Sequence, residues 1–132
     1  MKLEHVAIWT NQLEELRTYY CRFFGGESNS LYHNPLKNFS SYFIAFGNGA
    51  RLELMSRPDI SVHLGNPDNQ FMGLIHLSFD PGSMEAVDDM AEMLRTAGFP
   101  ILSGPRKTGD GYYEFETFDP DKNRIEVGTV CS

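Results

Sequence analysis

The chain predicts an α+β fold built from two repeated βαβββ units, and three observations carry that reading. His5, Glu53, His76 and Glu126 recur in the order His, Glu, His, Glu, with Glu53 following His5 by 48 positions and Glu126 following His76 by 50. Both glutamates sit in the same local frame, Arg51-Leu52-Glu53-Leu54 in one half and Arg124-Ile125-Glu126-Val127 in the other. Both histidines lie in alternating strand-like stretches, Leu3-Glu4-His5-Val6-Ala7-Ile8 and Leu74-Ile75-His76-Leu77-Ser78-Phe79, each followed by a helix-like segment and a glycine stop.

In the first half, residues 2–10 alternate as a strand. Asn11 with Glu14 three positions later reads as a capping box, and Leu13, Leu16, Tyr20, Phe23 and Phe24 make a helical apolar face that Gly25-Gly26 ends. Strands are expected near 28–33, 40–46 and 50–55. In the second half, 73–80 reads as a strand and Ser83 as the N-cap of a helix carrying Met84, Val87, Ala91 and Leu94 until Gly98. Met84, Met90 and Met93 are assigned to core and helix surface. Strands near 111–118 and 123–130 complete the unit. Residues 57–72 contain Pro58, Gly65, Asn66-Pro67 and Asp68-Asn69 and form a polar connector. We therefore expect one domain over 1–132, with modules of about 1–56 and 73–132.

Alternate side chains of a strand leave on opposite faces. His5 therefore opposes Val6 and Ile8, His76 opposes Ile75, Leu77 and Phe79, Glu53 opposes Leu52 and Leu54, and Glu126 opposes Ile125 and Val127. Each candidate ligand points away from an apolar set that a helix would cover. Two neutral imidazoles and two carboxylates form a complete ligand set for one divalent cation.

Composition sets the limits. A chain of 132 residues with 41% hydrophobic content supports one ordinary core. A formal charge of −7, a pI near 4.9 and scattered cations give no basic stripe for nucleic acid. No apolar run approaches the roughly 20 residues that span a bilayer, and no secretion signal opens the chain, so the expected location is cytoplasmic. Cys21 and Cys131 are read as free thiols. His33 and His63 lack repeat partners and are assigned to the surface.

The opening Leu3 to Ile8, the central Gly73 to Phe79 and the closing Phe118-Asp119-Pro120-Asp121-Lys122-Asn123-Arg124-Ile125-Glu126-Val127 resemble the vicinal oxygen chelate superfamily, in particular its glyoxalase I-like members. The closing segment is similar to the family's Asp-Pro-Asp-Gly-Asn turn, with Lys122 where glycine is usual. This resemblance implies paired βαβββ modules in an eight-stranded, partly open barrel-like cleft. It makes His5, Glu53, His76 and Glu126 the ligands of one divalent ion per site, nickel, cobalt or zinc first and manganese or iron next. It further implies a lyase, formally of the lactoylglutathione lyase type, that isomerises a hemithioacetal through an enediolate. Glu126 is nominated as the base and Glu53 as the second carboxylate. A homodimer is expected, with all four ligands in one chain or shared across two.

Substrate contacts are assigned to Arg106 and Lys107, in a flexible loop spanning 104–111, to Tyr113 beyond it and to Trp9 on the His5 face. An ordinary hairpin loop and a subunit-interface tryptophan are the competing readings of these features. Three functions stay open: the metal-dependent isomerase, a thiol transferase or dioxygenase on the same scaffold, and a metal-free drug-binding protein of the bleomycin-resistance type. The last has no use for four ligands kept in register, and Glu53 argues against the transferase and dioxygenase.

Overall fold

The computed structural model describes residues 1–132 as two compact units, Met1–Leu64 and Gly65–Ser132. The first contains β1 (His5–Trp9), α1 (Leu13–Phe24), β2 (Glu27–Ser28), β3 (Tyr32–Asn34), β4 (Phe39–Ala45) and β5 (Arg51–Ser56). Its strands are ordered β1-β5-β4-β2, with β3 also paired to β4. The second contains β6 (His76–Phe79), α2 (Met84–Thr96), β7 (Ile101–Lys107), β8 (Tyr112–Phe118) and β9 (Arg124–Val130), ordered β6-β9-β8-β7. Two helices and nine strands thus make an α+β fold of two mixed sheets, and neither sheet closes into a barrel. No helix is long and apolar enough to cross a membrane.

In the first unit the helix covers the apolar side of the sheet. Leu16, Tyr19, Tyr20 and Phe23 of α1 are buried, as are Tyr42, Ile44, Leu52 and Leu54 of β4 and β5. Burying side chains of this size stabilises by about 1.5–3 kcal/mol each before the entropy of ordering them is counted. Leu13 and Phe24, expected on this face, are only half-buried, and Tyr19 takes the deeper place. Gly25 ends the helix in the left-handed region at φ 65°, which costs a residue without Cβ nothing.

The helix start corrects the expected capping box. Gln12, not Asn11, holds the cap position and its side chain makes no capping bond. The Thr10 hydroxyl instead accepts from the Gln12 N–H at 2.9 Å, while the Glu14 carboxylate accepts from the Tyr42 hydroxyl at 2.6 Å. A tertiary partner has taken the side chain that the local motif would have used. The expected strand at 28–33 is likewise two short pieces, β2 and β3, with residues 29–31 between them. Asn29 bridges this break by accepting from the Phe43 N–H through its carboxamide.

The second unit follows the same plan, with Val87, Ala91 and Leu94 of α2 buried and Phe115, Ile125 and Val127 of the sheet fully enclosed. Ser83 caps α2 as expected, accepting from the Ala86 N–H at 3.1 Å. The flexible loop expected over 104–111 is corrected: Ile101–Lys107 is a strand paired with β8, with register shifts between Ser103 and Arg106. A bulge there disguises the strand, because an added residue interrupts the two-residue period and Gly104-Pro105 reads locally as a turn. The turn before β9 keeps its shape around buried Asp119, whose carboxylate accepts from the Asp121 and Asn123 N–H groups and from the Asn123 carboxamide. Lys122 adopts the left-handed φ of 64° there.

Candidate functional site

The repeat seen in the sequence is a repeat of register. In the first unit β1 runs parallel to β5 with His5 opposite Arg51 and Ala7 opposite Glu53. In the second, β6 runs parallel to β9 with His76 opposite Arg124 and Ser78 opposite Glu126. Each glutamate therefore stands two residues beyond its histidine's partner, on the same face of the sheet. His5 Nε2 lies 3.8 Å from Glu53 Oε1, and His76 Nε2 lies 3.5 Å from Glu126 Oε2. Neighbouring ligand atoms around an ion with bonds of about 2.0–2.2 Å are about 3.0–3.6 Å apart. The His76–Glu126 pair falls within that range and the His5–Glu53 pair lies just beyond it.

The surroundings of the two pairs differ. Glu4 contacts His5 Nδ1 and Arg51 through its two carboxylate oxygens, leaving His5 Nε2 on the Glu53 side. The hydrogen bonds from His5 first, and then from Arg51, hold Glu4 below the usual carboxylate range. Phe43, the β4 partner of Glu53, packs its ring edge-on to His5 at 5.4 Å and carries the Arg51 guanidinium 4.2 Å above its face.

In the second unit the register partner of Glu126 on β8 is Glu116. One ligand atom from each of His76, Glu116 and Glu126 can be chosen so that all lie within 4.8 Å of one another. Arg124 Nη1 donates to Glu116 Oε2 at 2.9 Å, and the Ser78 hydroxyl donates to Glu126 Oε1 at 2.9 Å. Ala7 holds the place of Ser78 in the first unit, so no hydroxyl reaches Glu53 from there. Next along β8, Glu114 is pushed above the usual carboxylate range, first by burial and then by the charge of Glu126, with Arg106 opposing.

The residues assigned to substrate contact divide by face. Arg106 is the register partner of Glu114 and shares its side of the sheet. Tyr113 lies on the opposite side: its hydroxyl donates to Asp88 of α2 at 2.7 Å, and Lys107 is its register partner. The alternation that puts Glu114 and Glu116 on the ligand face turns Tyr113 towards the helix. Tyr112, not Tyr113, has the ligand-face parity. Trp9 is 40% exposed on the His5 face, with Phe39 edge-on to its ring at 6.1 Å and the Arg57 guanidinium over it at 5.3 Å.

Sequence reading missed Glu116, Ser78 and Glu4 because it searched for residues that repeat. Glu116 has Phe43 as its counterpart, Ser78 has Ala7 and Glu4 has Ile75, so none could be found by repetition. The alternation Glu114-Phe115-Glu116 was the available signal, since it places both carboxylates on one face of β8.

Comparison with known proteins agrees with this fold. Solved structures of similar fold include a glyoxylase/bleomycin resistance protein/dioxygenase domain from Frankia sp. EAN1pec, at 18% identity over 98% of both chains with a TM-score of 0.81. The trypanothione-dependent glyoxalase I of Leishmania major matches at 16% identity over 96% of this chain and 85% of that one, with a TM-score of 0.75. A lactoylglutathione lyase from Agrobacterium tumefaciens matches at 22% identity over 95% and 90%, with a TM-score of 0.66. At these identities the likeness shows the fold. No curated protein matches the sequence. The family profile spans residues 2–127, and with it the chain belongs to the Glyoxalase/Bleomycin resistance protein/Dioxygenase superfamily.

Proposed function

We propose that the protein is a divalent-metal-dependent lyase of the glyoxalase I type, isomerising a hemithioacetal or a related vicinal-oxygen substrate. The observation that supports this best is the duplicated register, which gives each unit one imidazole and one carboxylate on the same face, 3.8 Å and 3.5 Å apart. His5, Glu53, His76 and Glu126 together would hold one ion, nickel, cobalt or zinc before manganese or iron, in one chain or across a homodimer. Neutral imidazoles and carboxylates suit all of these metals. Bound there, the metal would supply Lewis acidity, making the C–H beside a substrate carbonyl acidic enough for a carboxylate to take.

The remaining steps belong to the chain's own groups. Glu126 takes the proton from one substrate carbon and returns it to the next. The Ser78 hydroxyl gives one Glu126 oxygen a hydrogen-bond partner independent of the metal, so the carboxylate can act as a base without being left unpaired. Glu53 is the second carboxylate and Arg106, on the same face as Glu114, is a candidate holder of a substrate carboxylate. Half-buried Cys21 and Cys131 are free thiols, which supports a cytoplasmic setting.

The test couples metal analysis to thioester formation from methylglyoxal with several thiols. Wild type is expected to hold about one ion per set of four ligands and to turn over at least one hemithioacetal. Glu126→Gln is expected to lower turnover by about a thousandfold with ion content measured alongside. Full activity in that variant would remove Glu126 as the base, and protein that acquires no ion would favour the metal-free binding function.

A further inference from the structure

The second unit carries a carboxylate that a His–Glu plan does not require. Glu116 is the register partner of Glu126, and with His76 the three donors come from three adjacent or paired strands, β6, β9 and β8. Their ligand atoms lie within 4.8 Å of one another. Opposite ligands of an ion with bonds of about 2.1 Å are about 4.2 Å apart. All three residues are only half-buried, which leaves their side chains room to turn towards one ion.

From this we infer that Glu116 is a direct ligand of the ion, so that the second unit holds the metal through His76, Glu116 and Glu126 and is the half that retains it. The inference rests on the metal-dependent reading above and deepens it.

Arg124 is the second observation. Its side chain is 9% exposed, and it fixes one Glu116 oxygen at 2.9 Å while the other oxygen stays available to an ion. A carboxylate bridging a guanidinium and a cation is pre-oriented for both. The same guanidinium keeps a buried Nε–H without an acceptor, although its terminal nitrogens reach Glu116 and the Pro67 carbonyl. Buried donors in that condition are rare unless a ligand or solvent supplies the acceptor.

Charge agrees with this division of labour. Glu116 and Glu126 neutralise a divalent ion, and the adjacent Arg124 charge offsets Glu53, the further carboxylate of the proposed ligand set. The first unit has no equivalent, because Phe43 fills the corresponding site against His5. With two donors against three, its His5–Glu53 pair contributes less to affinity.

The experiment titrates the full-length protein with Mn²⁺, following binding by calorimetry and by the Mn²⁺ paramagnetic resonance signal. Glu116→Gln keeps an acceptor for Arg124, and circular dichroism checks that each variant is folded. We expect Glu116→Gln to weaken Mn²⁺ by about tenfold or more, as Glu126→Gln does and by more than Glu53→Gln does. A second variant, Glu116→His, replaces one ligand by another and is expected to bind Co²⁺ with a shifted visible absorption spectrum. Mn²⁺ affinity of Glu116→Gln within about twofold of wild type, an unshifted Co²⁺ spectrum, or a larger loss from Glu53→Gln would each overturn the inference. Failure of the functional reading looks different: the wild type would bind Mn²⁺ through Glu116 yet isomerise no hemithioacetal.

Discussion

Beside the His5–Glu53 pair stands the ring of Phe43; beside His76–Glu126, at the same place in the register, stands the carboxylate of Glu116. The backbone plan is shared down to the residue pairing, and the arginine two positions before each glutamate is shared as well. What differs is the arginine's partner. Arg51 leans on Phe43 and pairs outward with Glu4, both partners of that ion pair being well exposed, whereas Arg124 is enclosed and pairs along the face with Glu116. The two halves share a scaffold, and single neighbouring residues make one aromatic and the other acidic.

Replacing the two arginines is the strongest way to break this comparison. Arg124→Met removes the cation that offsets Glu116 and leaves a partly enclosed carboxylate beside Glu126. Breaking a fully buried pair costs about 3–5 kcal/mol, and with Glu116 partly solvated we expect about 2–3 kcal/mol here. Arg51→Met, where the arginine side chain is 41% exposed, should fall within the small spread of surface substitutions. Urea unfolding of both variants measures the difference. Equal losses would mean that enclosure of Arg124 has no energetic consequence.

A smaller asymmetry lies in the strands behind the carboxylates. Glu114 is flanked by two glycines: a Cβ on Gly104 of β7 would meet the Glu114 carbonyl oxygen at 2.4 Å, and one on Gly128 of β9 would meet the Glu114 Cβ at 2.7 Å. The register partner of Ser41, the first unit's counterpart of Glu114, is Met55, a full side chain. Gly128→Ala should therefore cost about 1–3 kcal/mol by overpacking, while Met55→Ala leaves its strand pairing intact. The urea midpoint of Gly128→Ala tests this, and an unchanged midpoint would show that β8 and β9 separate without penalty.

Periodicity made much of this molecule legible. The shared face of His5 with Glu53, and of His76 with Glu126, was legible because a strand's two-residue period and a duplicated sequence both constrain it. Ser83 was found because an N-cap is a local device. Failures followed where tertiary contacts chose the outcome: Tyr42 claimed Glu14 from the expected capping box, and the bulge at Gly104-Pro105 hid β7 as a loop. Tyr113 was misjudged by one position of parity, which on a strand changes the face. Glu116 stayed hidden because a search for repeats passes over residues that make the halves different.

The smallest predicted effect concerns how each helix is tied to its sheet. Tyr42 donates to Glu14 of α1 at 2.6 Å, and Tyr113 donates to Asp88 of α2 at 2.7 Å. In each case the hydrogen bond to a carboxylate is the main reason that the phenol is held above its ordinary pKa of 10.0, with burial adding to it. Between that value and the raised one, the unfolded chain has lost the proton and the folded chain keeps it, so stability falls as pH rises. Both ties are intact below pH 10 and weaken above it. Tyr42 is buried while Tyr113 is only half-buried, so Tyr42→Phe should cost about 1 kcal/mol at neutral pH and Tyr113→Phe less. Denaturation at pH 8 and pH 11 separates the contributions: the wild type should lose more stability over that interval than the double variant. Identical losses would mean that other ionisations govern the alkaline limit in both halves.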